Sequence, residues 1–243
     1  MRDPKHEASV SISKFFDRQQ SSNQYESLKK MTRVLDVVAG NELNHGVRGR
    51  VLTIGGVWDF FEWGDQIESL TVLDLSVEML KAYCPEGAHS VIGDLYTYEF
   101  AAQSFDSVVF PLILHHTAQG SWRSSEQRIE EAMRRAHRWL KPGGHVYIME
   151  YCPHPGWYPV QRALLPVTRR FLRFFEQPLV VMYTRSFYER VLTGTFGSCE
   201  IHQIAPEGFN YWTWYPVFMS IRWLRLPFAV YPKLHVMSAP ASS

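Results

Sequence analysis

Four short apolar runs in this 243-residue chain end in residues able to hold a polar ligand. RVLTI (50–54) runs straight into Gly55-Gly56, and TVLDL (71–75) carries Asp74. HSVI (89–92) stops at Gly93-Asp94, and FDSVVF (105–110) stops at Pro111, just ahead of His115 and His116. A glycine pair lets the backbone turn sharply and approach a ligand closely. Asp74 follows Gly55 by 19 residues, a spacing at which nucleotide sites place a carboxylate that accepts hydrogen bonds from ribose hydroxyls. Asp94 is placed to accept from an exocyclic amino group. Together these residues describe a pocket for an adenosine-containing ligand. Taken singly, each has a plainer role, the glycines as an ordinary turn and the aspartates as caps. Their recurrence after successive strands favours one shared site.

His115 and His116 suit proton transfer, because imidazole titrates near neutral pH. A structural histidine bonded to a loop carbonyl is an equally good reading of either ring, and Thr117 is a candidate turn cap. The remaining eight of ten histidines are scattered and form no plausible metal set. No metal is expected.

Such residues need strands and helices to position them. Residues 10–44 carry Tyr25, Leu28, Met31, Leu35 and Val38 at helical spacing. Ser76 is a candidate N-cap for VEMLKAY. The segment 124–140 is the clearest helix, with Ile129, Ala132, Met133, Ala136, Trp139 and Leu140 on one face. Glu130/Arg134 and Glu131/Arg135 are expected to pair along it, and Lys141-Pro142-Gly143-Gly144 to end it. HVYIMEY (145–151), a helical RSFYERVL (185–192), CEIHQIA (199–205) and KLHVMSA (233–239) follow. Alternating strands and helices predict an α/β fold, a doubly wound, mostly parallel sheet covered on both faces. Such sheets bind ligands beyond the carboxyl ends of their strands.

Composition narrows the class further. Hydrophobic residues are 46% and charged residues 20%, as in an ordinary globular domain. Lys plus Arg is 25 against 24 for Asp plus Glu, so the basic excess of a phosphate-backbone binder is missing and no nucleic-acid partner is expected. Three separated cysteines, Cys84, Cys152 and Cys199, suit a reducing cytoplasm rather than a disulfide framework. The N-terminal residues contain no apolar signal segment. The longest apolar run, 211–231, is broken by Pro216, Arg222, Arg225 and Pro227, so no membrane span is expected.

The ordered motifs resemble class I S-adenosylmethionine-dependent methyltransferases, of the small-molecule type that includes the ubiquinone and biotin pathway enzymes. RVLTIGG is similar to the first motif, TVLDLSVEML to the acidic second motif, and VIGDL to the adenine-contacting segment. FDSVVFPLILHH is similar to the fourth-strand motif, and WLKPGGHVYIME to the helix-to-fifth-strand motif. The likeness spans residues 45–151 by motif and the whole chain by segment order. It implies a single Rossmann-like domain with a seven-stranded sheet whose last strand is antiparallel. Residues 1–45 would form a helical cap, 46–151 the cofactor-binding core, 152–232 the substrate-side helices and insertion, and 233–239 the last strand. It implies S-adenosyl-L-methionine as cofactor, contacted by Tyr25, Thr53, Gly55, Gly56, Asp74, Leu75, Met79, Gly93, Asp94, Leu95 and Pro111, with His115 and His116 as the catalytic candidates. Tyr25 and Trp58 are candidates for cation–π contact with the sulfonium, although Tyr25 also fits a packed helical stripe. One departure stands out: Thr53 occupies the family's acidic position, and Val57 and Asp59 occupy two of its glycine positions.

Methyl transfer needs mainly an in-line acceptor. The Arg-punctuated aromatic stretches within 152–232 are expected to wall a small-molecule substrate of apolar or aromatic character, or else to pack on the sheet or form a dimer surface. Two other readings stay open: an enzyme that cyclises or cleaves the cofactor or moves its aminocarboxypropyl group, and a fold member that uses no cofactor.

Overall fold

The computed structural model describes residues 24–55, 64–174, 178–205, 207 and 232–241, with side chains from residue 33 onward. Seven strands form one sheet in the order β3-β2-β1-β4-β5-β7-β6. They are β1 (Gly49–Ile54), β2 (Ile67–Asp74), β3 (His89–Ile92), β4 (Phe105–Pro111), β5 (Leu140–Cys152), β6 (Glu200–Gln203) and β7 (Lys233–Pro240). The first five run parallel, and β7 pairs antiparallel with both β5 and β6. The expected fold class, including its antiparallel last strand, is the one observed. Strand order reverses between β1 and β4, which opens a crevice at their carboxyl ends.

Apolar patterning explains the two layers on the sheet. One face packs α3 (Trp122–Trp139) and α5 (Arg185–Phe196), through Ile129, Met133, Trp139, Phe187 and Leu192, against Leu52, Val108 and Ile148. The other packs α1 (Gln24–Gly46), through Leu35, Ala39 and Leu43, against Val51, Val109 and Met149. Polar caps set where helices start. Ser76 Oγ accepts from Met79 N–H to open α2 (Val77–Tyr83), as its position in the sequence suggested. Ser121 and Ser124 form a reciprocal capping box for α3. Thr184 Oγ1 accepts from Phe187 N–H to open α5.

Two sequence expectations need correction. Helix α3 stops at Leu140, which is already extended at ψ 139°, and Lys141-Pro142-Gly143-Gly144 belongs to β5 rather than to a terminating turn. Pairing with the chain end explains the longer strand, because Gly143 N–H donates to Ala241 O and Ala241 N–H to Gly144 O. The ion pairs of α3 run across to other elements rather than along the helix among the described residues: Arg135 and Arg138 both meet Glu99, and Glu130 faces Arg190. Residues 152–184, within the stretch that the likeness assigns to substrate-side helices, contain the helix α4 (Trp157–Phe174). Of the 10–44 helical segment, residues 10–23 lie outside the described residues.

The amino ends of the central strands are tied by Asp106. Its Oδ2 accepts from Arg50 N–H at 2.8 Å, and Lys141 Nζ reaches both carboxylate oxygens at 2.8 and 2.9 Å. Burial works against the charge here, but the hydrogen bonds from Lys141 and Arg50 outweigh it and hold the carboxyl below its ordinary 3.8. A carboxylate with a depressed folded pKa contributes stability above its unfolded value and loses it as pH falls. Asp106→Ala should therefore cost about 1–2 kcal/mol at neutral pH, and the gap between variant and parent should shrink as denaturant melts are repeated below about pH 4.

Candidate active site

The carboxyl ends of β1 to β5 bring the sequence-nominated residues to one edge of the sheet. Gly55 leaves β1 with φ +59°, and its N–H donates to Leu73 O at 2.7 Å. A Cβ at this position would lie 2.9 Å from Ile113 Cδ1 and 3.6 Å from Asp74 Oδ2. Only glycine leaves that space open, so the turn forms a cradle directly beside the Asp74 carboxylate. Asp74 Oδ1 accepts from Ser76 N–H at 2.7 Å, which orients the carboxylate while opening α2. Gly93 N–H donates to Asp74 O at 2.9 Å and so joins the second and third strand ends.

Asp94 organises the next loop in the same way. Its Oδ1 accepts from Tyr96 N–H at 2.7 Å, and its carbonyl accepts from Thr97 and Tyr98. The Arg128 guanidinium lies 3.2 Å from the centroid of the Tyr96 ring. Burial raises the Tyr96 phenol to about 12, the nearby Arg128 charge notwithstanding. Leu75 is half-buried beside Asp74. Met79, Leu95 and Pro111 are buried in the floor below these loops. Thr53 is fully buried, and its hydroxyl has no hydrogen-bond partner among the described residues. It thus supplies a hydroxyl and no charge beneath the glycine turn. Gly56, Trp58 and the side chain of Tyr25 lie outside the described residues.

The fourth strand end holds the titratable cluster. Leu112 follows Pro111 with φ +53°, a conformation that costs a bulky residue of order 1–3 kcal/mol. The reversal sends Leu114–Thr117 into a short 3₁₀ helix, closed by Thr117 Oγ1 donating to Leu114 O at 2.7 Å. Glu150, near the end of β5 and 1% exposed in its side chain, receives this loop. Its Oε1 accepts from Leu114 N–H at 2.7 Å and His115 N–H at 3.3 Å, and its Oε2 lies 2.7 Å from His115 Nδ1. A carboxylate only accepts, so the proton sits on His115 Nδ1 and Nε2 is the basic nitrogen of the neutral ring.

His116 has different surroundings. Its ring lies 4.1 Å from that of His115, centroid to centroid. Burial, reinforced by the neighbouring imidazole, drives its pKa well below the ordinary 6.5, so it stays neutral. Sequence reasoning nominated the two histidines and missed Glu150. The available signal was an acidic residue closing the otherwise apolar HVYIMEY, one strand away from the histidines.

With this geometry in place, comparison with known proteins is direct. Residues 52–148 match the family model described as a methyltransferase domain. A chain of the complex between the Haloferax volcanii Trm112 methyltransferase activator and a methyltransferase described only by that activity aligns with TM-score 0.63 at 15% identity, covering 94% of this chain and 98% of that one. DhpI bound to SAH aligns at 0.64 and 15%, covering 98% and 99%. The Burkholderia thailandensis 1,6-didemethyltoxoflavin-N1-methyltransferase, bound to its substrate and S-adenosylhomocysteine, aligns at 0.58 and 15%, covering 100% and 92%. No curated protein matches the sequence. Residues 52–148 thus match a methyltransferase domain, and the chain has the Rossmann-like fold of these structures. The enzyme class so defined uses S-adenosylmethionine.

The opening at Gly55 and the Asp74 and Asp94 carboxylates, each held by the amide two residues on, offer the space and the acceptors that an adenosine moiety requires. Asp74→Asn keeps the Oδ1 that accepts from Ser76 N–H but removes the charge. S-adenosylmethionine affinity, read by calorimetry, should fall by about 1–2 kcal/mol, or roughly tenfold, with the melting temperature little changed. His116 gives a second prediction. The unfolded chain takes up a proton that the folded ring refuses, so stability is complete above about pH 6.5 and declines as pH falls below it. His116→Asn should reduce the drop in melting temperature between about pH 7.5 and about pH 5.5.

Proposed function

We propose that the enzyme methylates an oxygen or nitrogen atom of a small, partly apolar metabolite, with His115 Nε2 as the base. The observation that carries this reading is the 2.7 Å pair between His115 Nδ1 and the buried Glu150 carboxylate at the β4 strand end. When bound, S-adenosylmethionine supplies an electrophilic methyl group. Gly55, Asp74 and Asp94 would hold its adenosine end. His115 would accept the proton that the acceptor atom sheds, and Glu150 would stabilise the resulting imidazolium and fix the ring's tautomer. Glu150 is a positioning residue in this scheme and His115 the catalytic one. Buried and held neutral, His116 packs behind the base.

Support for a small acceptor comes from the toxoflavin-precursor enzyme among the similar folds. The aromatic segments that follow β5 add apolar character on the substrate side, where Tyr158 packs edge to face and Tyr183 tilted against Trp122 of α3. Cofactor chemistry separates this reading from its rivals. Incubation with S-adenosylmethionine should return the cofactor intact until an acceptor is added, and then release S-adenosylhomocysteine. Methylthioadenosine formed without an acceptor would instead identify a cofactor-cleaving enzyme.

Once an acceptor is found by screening phenolic and heteroaromatic compounds, His115→Asn should lower turnover by about 10²-fold or more while leaving cofactor affinity unchanged. Glu150→Gln should lower kcat with little change in KM or cofactor affinity, because the imidazole loses the carboxylate that orients it and compensates the charge it gains on accepting a proton. A Glu150→Gln variant with an unchanged kcat would reject the positioning role.

A further inference from the structure

The outer face of α4 presents a chemistry that methyl transfer does not use. Its inner face is well anchored. Tyr158 OH donates to Glu126 Oε1 at 2.8 Å, Gln161 exchanges two hydrogen bonds with the Met182 backbone, Leu165 is buried, and Arg169 donates to Gly120 O at 3.0 Å. Roughly 135° around the helix, at about 100° per residue, runs an apolar stripe with alternating spacings of three and four. It consists of Trp157, Val160, Leu164, Val167, Phe171 and Phe174, exposed by 40, 39, 49, 67, 62 and 80%. An exposed apolar row of this length is unusual on a protein surface and marks an interaction site.

Charge selects the partner. Between Trp157 and Phe174 the helix contains Arg162, Arg169, Arg170 and Arg173 and no acidic residue. Arg170 and Arg173 join Val167, Phe171 and Phe174 around one open groove of about 750 Å³, so guanidinium groups border the apolar surface directly. A second copy of the same helix would bring like charges together. An acidic peptide would satisfy the arginines but leave much of an apolar row about 27 Å long uncovered. An anionic bilayer surface satisfies both features at once, with apolar side chains entering the acyl boundary and arginines meeting lipid phosphates.

We propose that α4 is an interfacial helix that docks this enzyme onto anionic phospholipid membranes. It lies on the bilayer and does not cross it, since no helix among the described residues is long and apolar enough to span. Through Arg169 on Gly120 and Tyr158 on Trp122, it is fixed to the turn that follows Leu114–Thr117. Docking would therefore hold the site edge of the sheet close to the surface, whatever the methyl acceptor.

Flotation of the purified full-length protein with vesicles tests the proposal. Binding is expected to vesicles of phosphatidylcholine with phosphatidylglycerol, not to phosphatidylcholine alone, and should fall as salt rises from about 0.1 M to about 0.5 M. The Arg170→Glu/Arg173→Glu double variant should lose at least about tenfold in partitioning, and Leu164→Ser/Val167→Ser should weaken it independently. Both variants should keep the parent's melting temperature and S-adenosylmethionine affinity, which separates lost docking from lost folding. The proposal is overturned if the parent protein fails to float, floats equally with neutral vesicles, or floats undiminished in both variants. A parent that fails to float and runs as a dimer which Leu164→Ser/Val167→Ser dissociates would assign the face to a second copy instead.

Discussion

A buried carboxylate at the end of β5 holds the loop after β4 in place. Ionised Glu150 would be costly to bury alone, and the cost is offset only when donors converge on it. Two backbone N–H groups and one imidazole N–H do so, all from the loop after β4. That loop reaches Glu150 because Leu112 turns with a left-handed φ just after the strand, its own N–H still paired to Met149 O. The strain at Leu112 and the burial of Glu150 therefore support one another. The same bonds that neutralise the carboxylate hold the reversed backbone, and the reversed backbone delivers the donors. Val181 N–H donates to His115 O and extends the arrangement to the segment leading into α5.

The ends of β2 and β3 follow a parallel logic with smaller terms. At the ends of β2 and β3, an aspartate uses one oxygen to fix the amide two residues on. Each strand end is thus capped by its own functional group, a common device in turns. Short loops suffice because the acid that meets a ligand also shapes the backbone that presents it. Among the described residues at the end of β1 there is no acid: Thr53 is buried beneath the turn, Gly55 supplies the opening, and the carboxylate beside it is that of Asp74.

These relations explain what could be read from the chain. Short apolar runs closed by Gly55, Asp74, Asp94 and Pro111 were legible because local sequence determines both a strand and its stop. Ser76 was legible as a cap for the same reason. Glu150 was not, because its role depends on the pairing of β4 with β5 and on a positive φ at Leu112, neither of which local pattern encodes. Helices were expected within 152–232, but the bounds of α4 were obscured by Pro159 and Pro166 and by apolar residues on two faces, which blur a single helical stripe. Lys141-Pro142-Gly143-Gly144 reads as a stop, yet extension is imposed by pairing with Ala241, a hundred residues away. Arg135 of α3 found Glu99 and the Tyr98 carbonyl instead of Glu131, because tertiary partners that also bury the side chain outcompete an exposed pair along a helix.

The unlike surroundings of the two histidines have a consequence for catalysis. Imidazoles whose centroids lie 4.1 Å apart resist holding two positive charges, so a site with two equivalent rings would share one proton between them. Here burial removes His116 from the competition and leaves it neutral. His115 alone stands against a carboxylate, so a proton taken up at its Nε2 creates a charge already compensated at Nδ1. The pair beneath the strand ends thus divides its work by environment and not by residue type. One ring is buried and neutral, and the other faces a buried carboxylate at 2.7 Å, the arrangement on which the proposed role of His115 as base rests.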